Sequence, residues 1–369
     1  MTHNPVKRSS TESRKARRGV PRAPRSPMGL LMGMGLAMLA AVGCGDGRTT
    51  VTVYSPHGRD LLELLEQAYE EQNPTIDVRW LDMGSQEVYD RVRFERNNPQ
   101  ADVWFGGPDT IFSRGAEEGL LAAFRPTWAD SVPAASQAPG DLYFGVYLAC
   151  PVLIYNSAAL SDEEAPQDWD DLLDPRWKDQ IIIRDPLASG TMRTAFGMIL
   201  ARSIEETGDT EQGWQWLRRL DAQTKEYALN PALLFEKLIR QEGLVSIWEL
   251  TDILLLERRG SPLRHHFASS GTPVIDDSIG LVEGAPNPEA AKAFIEWVGG
   301  EQALALVAEK VFRLPARSDL PPESLPQWAQ EVLAEMRPAD VDGDLIAERG
   351  AEWMETWDRT VRGQGSDQP

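Results

Sequence analysis

From Val51 onward, short alternating apolar runs give way to apolar residues at helical spacing, and the pattern repeats. "VTVYS" (51–55) alternates and is β-rich, which predicts a strand. In "RDLLELLEQAYEEQN" the positions Leu61, Leu62, Leu64, Leu65, Ala68 and Tyr69 follow helical spacing, and Asn73-Pro74 ends the helix. "IDVRWLD" predicts a second strand, and "SQEVYDRVRFERNN" a second helix capped by Ser85. "ADVWFGG" predicts a third strand ending in glycines, and "DTIFSRGAEEGLL" a third, shorter helix. Strands alternating with helices make parallel βαβ units.

Residues 126–141, rich in Pro, Ala, Ser and Gly, predict a loop. "YFGVYLACPVLIYN" (143–156) is long and apolar, as a buried strand or strand pair is. Next come the strand "QIIIRDP", a helix starting near Ser189, the helices "EQGWQWLRRLDAQ" and "NPALLFEKLIRQEG", and the strand "LVSIWE". A strand, a turn and two helices follow from 277, and a last amphipathic helix carries Trp353 and Trp357 four residues apart on one face. The pattern describes two α/β halves and a helical tail. In open α/β sheets ligands bind beyond the carboxyl ends of strands, which points to the loops after Tyr54, Trp104, Arg184 and Trp248.

The first 43 residues break the pattern. A basic stretch leads into "MGLLMGMGLAMLAAVG" (28–43), too short for a stable membrane span, and small residues then precede Cys44. This is the layout of a signal peptide, and "AAVGC" resembles a bacterial lipobox. The expectation is an exported protein, periplasmic or at the cell surface, anchored to a membrane by a lipid on Cys44. The spacer 44–50 would follow.

The chain carries 37 basic and 57 acidic residues, a net charge of −20, and the leader takes mostly basic residues with it. Such a surface excludes a nucleic-acid partner, which needs a basic face. It also works against long-range attraction of anions. There are two cysteines. With Cys44 lipidated, Cys150 has no disulfide partner, and its apolar surroundings make it a buried, inert thiol. The chain has no Gly-x-Ser-x-Gly elbow, Walker loop or His-Glu-x-x-His, so it is not read as an enzyme and no cofactor is expected. His265 and His266 are adjacent and would face opposite ways in a strand, poor geometry for one metal.

The sharpest candidate site is "IIIRDPLASGTMRTAF" (181–196), a strand running into a Ser-Gly-Thr turn that opens a helix. Backbone N–H groups at the helix start and the hydroxyls of Ser189 and Thr191 suit an anion, and Gly190 permits close approach. Plain capping by Ser189 is the alternative. Ser55, His57 and Gly58 in "YSPHGRD", Gly107 and Asp109 in "FGGPD", and Trp248 and Glu249 in "SIWELTD" also fall at strand ends. Asp109 equally suits capping the following helix.

With these segments in place the chain resembles the bacterial extracellular solute-binding proteins of ABC importers, in the branch containing ferric-ion-binding proteins. The resemblance rests on "VTVYSPHG", "ADVWFGGPDTIFSRGAEEGLL", "PQDWDDLLDPRWKDQIIIRDPLASGTMRTAF", "SGTPVIDDSIGLVEGAPNPEAAKAFIEWV" and "FRLPAR", spread over 51–317. It implies an α/β, two-lobed periplasmic-binding fold of type II, each lobe a mixed sheet flanked by helices, with C-terminal helices. The first lobe would span 51–146, the second 147–268, and 269–369 would return to the first and add the tail. It also implies a membrane permease and ATPase as partners, and a monomer.

Ferric relatives use adjacent tyrosines in the second lobe. None of the seven tyrosines here are adjacent, and the corresponding region reads "SIWELTD". The resemblance therefore favours a small anionic solute, a phosphate ester or phosphonate, held by Ser189, Gly190 and Thr191. Ser55 and His57 would close on it from the other lobe, and Trp248 and Glu249 would contact its organic part. Two alternatives keep the fold: Fe(III) as cargo, with His57 and Glu249 as ligands and a synergistic anion, and a solute sensor feeding a membrane receptor.

Overall fold

The apolar run 143–156 is a pair of strands, and the break between them, at Cys150, is where the chain leaves one sheet for another. A computed structural model describes residues 47–340 and 342–363; the leader and Cys44 lie outside the described residues. In chain order the first elements are β1 (Thr49–Ser55), α1 (Arg59–Gln72), β2 (Ile76–Asp82), α2 (Ser85–Glu95), β3 (Val103–Pro108), α3 (Asp109–Glu117) and β4 (Leu121–Ala122). After β5 (Phe144–Ala149) come β6 (Pro151–Asn156), β7 (Ile181–Arg184), α4 (Gly190–Thr207), α5 (Glu211–Gln223), β8 (Thr224–Ala228), α6 (Pro231–Ile239), β9 (Val245–Glu249), α7 (Leu250–Arg258) and β10 (Leu263–His266). The chain ends with β11 (Ile275–Val282), α8 (Pro288–Val298), α9 (Glu301–Val311), β12 (Leu314–Pro315), α10 (Gln327–Glu335) and α11 (Gly343–Thr360).

The first sheet has the order β12-β5-β11-β3-β1-β2, with β4 beside β11. Strands β3, β1 and β2 are parallel, as the βαβ pattern requires, and β11 runs antiparallel between β3 and β5. The second sheet has the order β10-β6-β9-β7-β8, with β7 parallel to β8 and β9 while β6 opposes β9 and β10. Both sheets are mixed. Strand β8 carries charged residues and was not anticipated from its pattern; pairing with β7 forms it. Each sheet is covered by apolar helix faces, such as Leu61, Leu62 and Leu65 of α1 over the first.

Residues 267–274 return the chain from β10 to β11 in the first sheet. After β12 it passes back again. Ala329 and Val332 of α10 join the core of the second lobe, as do Ile346, Trp353 and Trp357 of α11. Trp357 stands edge-on to Phe196 of α4 and Tyr227 of β8, with centroids 5.7 and 4.9 Å away. Helix α11 also packs on α3 of the first lobe, so the tail spans both.

Candidate functional site

The strand ends of both sheets converge on one cavity of about 760 Å³, lined by the starts of α1, α2 and α4 and by α6 and α7. That volume is typical of a small-molecule site (about 300–1,000 Å³).

In the second lobe the apolar strand β7 ends on Arg184, which is 4 % exposed. Its Nη1 donates to Ala228 O at 3.1 Å, and its Nε has no hydrogen-bond partner among the described residues. Burial makes this guanidinium easier to deprotonate than usual, with Asp185 opposing. Five residues on, Ser189 caps α4 by accepting from Met192 N at 3.3 Å, so the capping alternative is realised there. Gly190 N donates to Ser85 Oγ of α2, across the lobes, at 2.8 Å. Two first-turn N–H groups are therefore engaged within the protein, and the strongest attraction for an anion here is Arg184, with Ser189 and Thr191 beside it in the cavity wall. Ser85 thus bridges the lobes; the cap of α2 is Gly84.

Arg313 crosses from the first lobe. Its Nη1 donates to Thr251 Oγ1 at 2.7 Å and Glu249 Oε2 at 3.2 Å, and its Nη2 to Asp252 Oδ1 at 3.1 Å. Glu249 also caps α7, and burial pushes its carboxyl up to about 7 against the pull of Arg313. Trp248 donates Nε1 to Asp252 at 2.9 Å. In the first lobe His57 is pinned at both ring nitrogens, by Ser55 Oγ at 3.0 Å and Asp277 Oδ2 at 2.5 Å. Burial opposes ionisation of Asp277, yet His57, the Gly107 N–H and Arg313 together hold its carboxyl below the usual range. Asp82 is raised by burial, with Asp252 adding repulsion and the Gly58 N–H opposing.

Of the residues singled out in the sequence, His57, Gly58, Gly107, Ser189, Thr191, Trp248 and Glu249 line the cavity. Ser55 is fully buried and supports His57 instead. Gly190 is the contact between lobes. Asp109 does not line the cavity; it lies among Tyr143, Asp276 and Asp344. Arg184 and Arg313 were not singled out. A charge closing the run "IIIR" is a signal for Arg184, whereas Arg313 is more than 60 residues from its carboxylate partners in sequence.

Burial, with Asp276 adding repulsion, raises the Asp109 carboxyl from 3.8 to about 6. The folded chain then holds a proton that the unfolded chain releases, so stability falls as pH rises through this window and the penalty is constant above it. Asp109→Asn is expected to stabilise the protein at pH 8 by at most about 3 kcal/mol and to leave it unchanged at pH 3. Urea denaturation at both pH values reads this; an equal gain at both would contradict the cause given.

Two lobes closing on a solute-sized cavity through a buried arginine define a solute-binding protein. The chain belongs to the bacterial extracellular solute-binding proteins, whose family model matches residues 65–335. It is 29 % identical over 321 residues to the probable ABC transporter periplasmic-binding protein y4fP of Sinorhizobium fredii, covering 85 % of this chain and 87 % of that one. It is 30 % identical over 254 residues to the putative 2-aminoethylphosphonate-binding periplasmic protein of Salmonella typhimurium, covering 67 % and 72 %. Two solved structures share the fold. One is AfuA from Actinobacillus pleuropneumoniae with fructose-6-phosphate bound, with TM-score 0.75, 24 % identity, and 86 % and 100 % covered. The other is iron-bound HitA from Pseudomonas aeruginosa, with TM-score 0.71, 20 % identity, and 85 % and 99 % covered. The protein is the substrate-binding component of an ABC importer rather than an enzyme, and such components work with a membrane permease and ATPase. Among the described residues no helix is long and apolar enough to cross a membrane.

Proposed function

We propose that the solute is a small organophosphorus anion, a phosphate ester or phosphonate. The observation that carries this is Arg184, a buried guanidinium in the cavity wall to which no carboxylate is bound among the described residues. A planar fork of donors suits phosphoryl oxygens, and Ser189 and Thr191 add hydroxyls at a helix start. His57 and Gly58 face them from the first lobe, and Trp248 borders the organic part. Asp82 and Asp252 also line the cavity. A ferric site gains little support. His57 and Glu249 already have partners, and among the described residues no group of three or more His, Cys, Asp or Glu stands ready for a metal.

Titration calorimetry with phosphonates, phosphate esters and ferric ion tests the reading. Micromolar or tighter binding of a phosphorus compound is expected, and a response to ferric ion alone would overturn it. A lipid on Cys44 would hold the protein beside its permease; the mass of the mature N-terminus should include a diacylglycerol, and an unmodified terminus rules the anchor out.

A further inference from the structure

The cavity is much larger than an anion needs, and besides charged and polar residues such as Asp60, Asp82, Asn230, Asp252 and Arg259 its wall carries a group of apolar side chains. From the second lobe it receives Leu229 after β8, Ala232 and Phe235 from α6, and Leu255 and Leu256 from α7. Ala232 and Phe235 are three residues apart on one face of α6, while Leu234 and Leu238 of the same helix are buried in the core. Phe235 and Leu256 are partly buried, and Leu229 is 71 % exposed. A lone exposed leucine means nothing by itself. Five apolar side chains lining the same cavity as a buried arginine are a different matter, because a solute that fills the space must cover them.

We infer that the solute carries an apolar carbon body, an alkyl or aryl group of several carbons, attached to its phosphorus headgroup. The inference rests on the anion reading above and goes beyond it. A bare phosphate or a two-carbon phosphonate would leave most of this wall facing water. A sugar would place hydroxyls against it, with no donors or acceptors on those five side chains to receive them. An apolar body removes both surfaces from water, and each methylene covered is worth roughly fourfold in affinity.

The test is a series of n-alkylphosphonates from methyl to hexyl, titrated calorimetrically against the whole exported chain, with n-alkyl carboxylates in parallel. Affinity is expected to climb about three- to fourfold per methylene until the wall is covered. In Leu229→Ser with Phe235→Ser the climb should flatten to under twofold per methylene, while methylphosphonate binds within threefold of the parent. Leu229→Ser alone, at an exposed position, guards against a folding defect and should show part of the flattening. A parent series flat in chain length overturns the inference, as does a steep series that survives in the double variant. If no phosphonate binds but carboxylates still gain with length, the phosphorus reading fails and the apolar wall stands.

Discussion

Arg184→Met is expected to weaken binding of a phosphonate or phosphate ester by roughly 30-fold to several thousand-fold. Removing one member of a buried, hydrogen-bonded charge pair costs about 2–5 kcal/mol, and every 1.4 kcal/mol is about tenfold. The unliganded protein should not suffer in the same way. Arg184 has no ion-pair partner in the described structure, and its burial disfavours the charge. Ala228 O, which it bonds, also accepts from Asp185 N at 3.0 Å and stays satisfied. Methionine fills similar space without a charge to desolvate, so the melting temperature of the free protein should hold or rise. Affinity from calorimetry and melting from calorimetric scans decide the matter together. Loss of both in parallel would mean that Arg184 is structural; loss of neither would mean that the anion sits elsewhere. Arg184→Lys should recover only part of the affinity, since an ammonium lacks the planar fork.

Gly190→Ala is expected to hold the lobes apart. A Cβ at this position would lie 2.5 Å from Pro108 Cδ and 2.8 Å from Ser85 Oγ, both on the first lobe. A proline ring at the end of a buried strand cannot swing aside as a long side chain can. Within its own lobe the change is mild, because position 190 opens a helix and alanine suits helices. The variant should therefore fold and melt within a few degrees of the parent. Closure should stop short, the radius of gyration from X-ray scattering with solute should stay at its solute-free value, and affinity should drop at least about tenfold. Compaction equal to the parent's on adding solute would refute this.

How much of this could be read from the residues depends on the range of the interaction. Strand β1 and helix α1 are written in local periodicity, and so is the cap at Ser189, whose partner is three residues away. The tail shows why local reading stops. The spacing of Trp353 and Trp357 marks a helical face, but nothing in the spacing says that the face meets Phe196 and Tyr227 in the second lobe. Asp109 failed as a cavity residue for a similar reason. Its place at a strand end was right, while the direction in which α3 leaves β3 turned it toward Tyr143 and Asp276. Arg313 is the extreme case. Its meaning lies in Glu249 and Asp252, which belong to the other lobe and to a distant part of the sequence.

The chain passes between the lobes at Cys150, at 267–274, and again between β12 and α10, after which α11 rests on both α3 and α4. Two connecting segments side by side form a hinge that can bend and also twist. A third crossing, followed by a helix that packs on both lobes, adds a constraint that two segments alone lack. A permease that touches both lobes can tell a loaded protein from an empty one by the distance between two points on its surface.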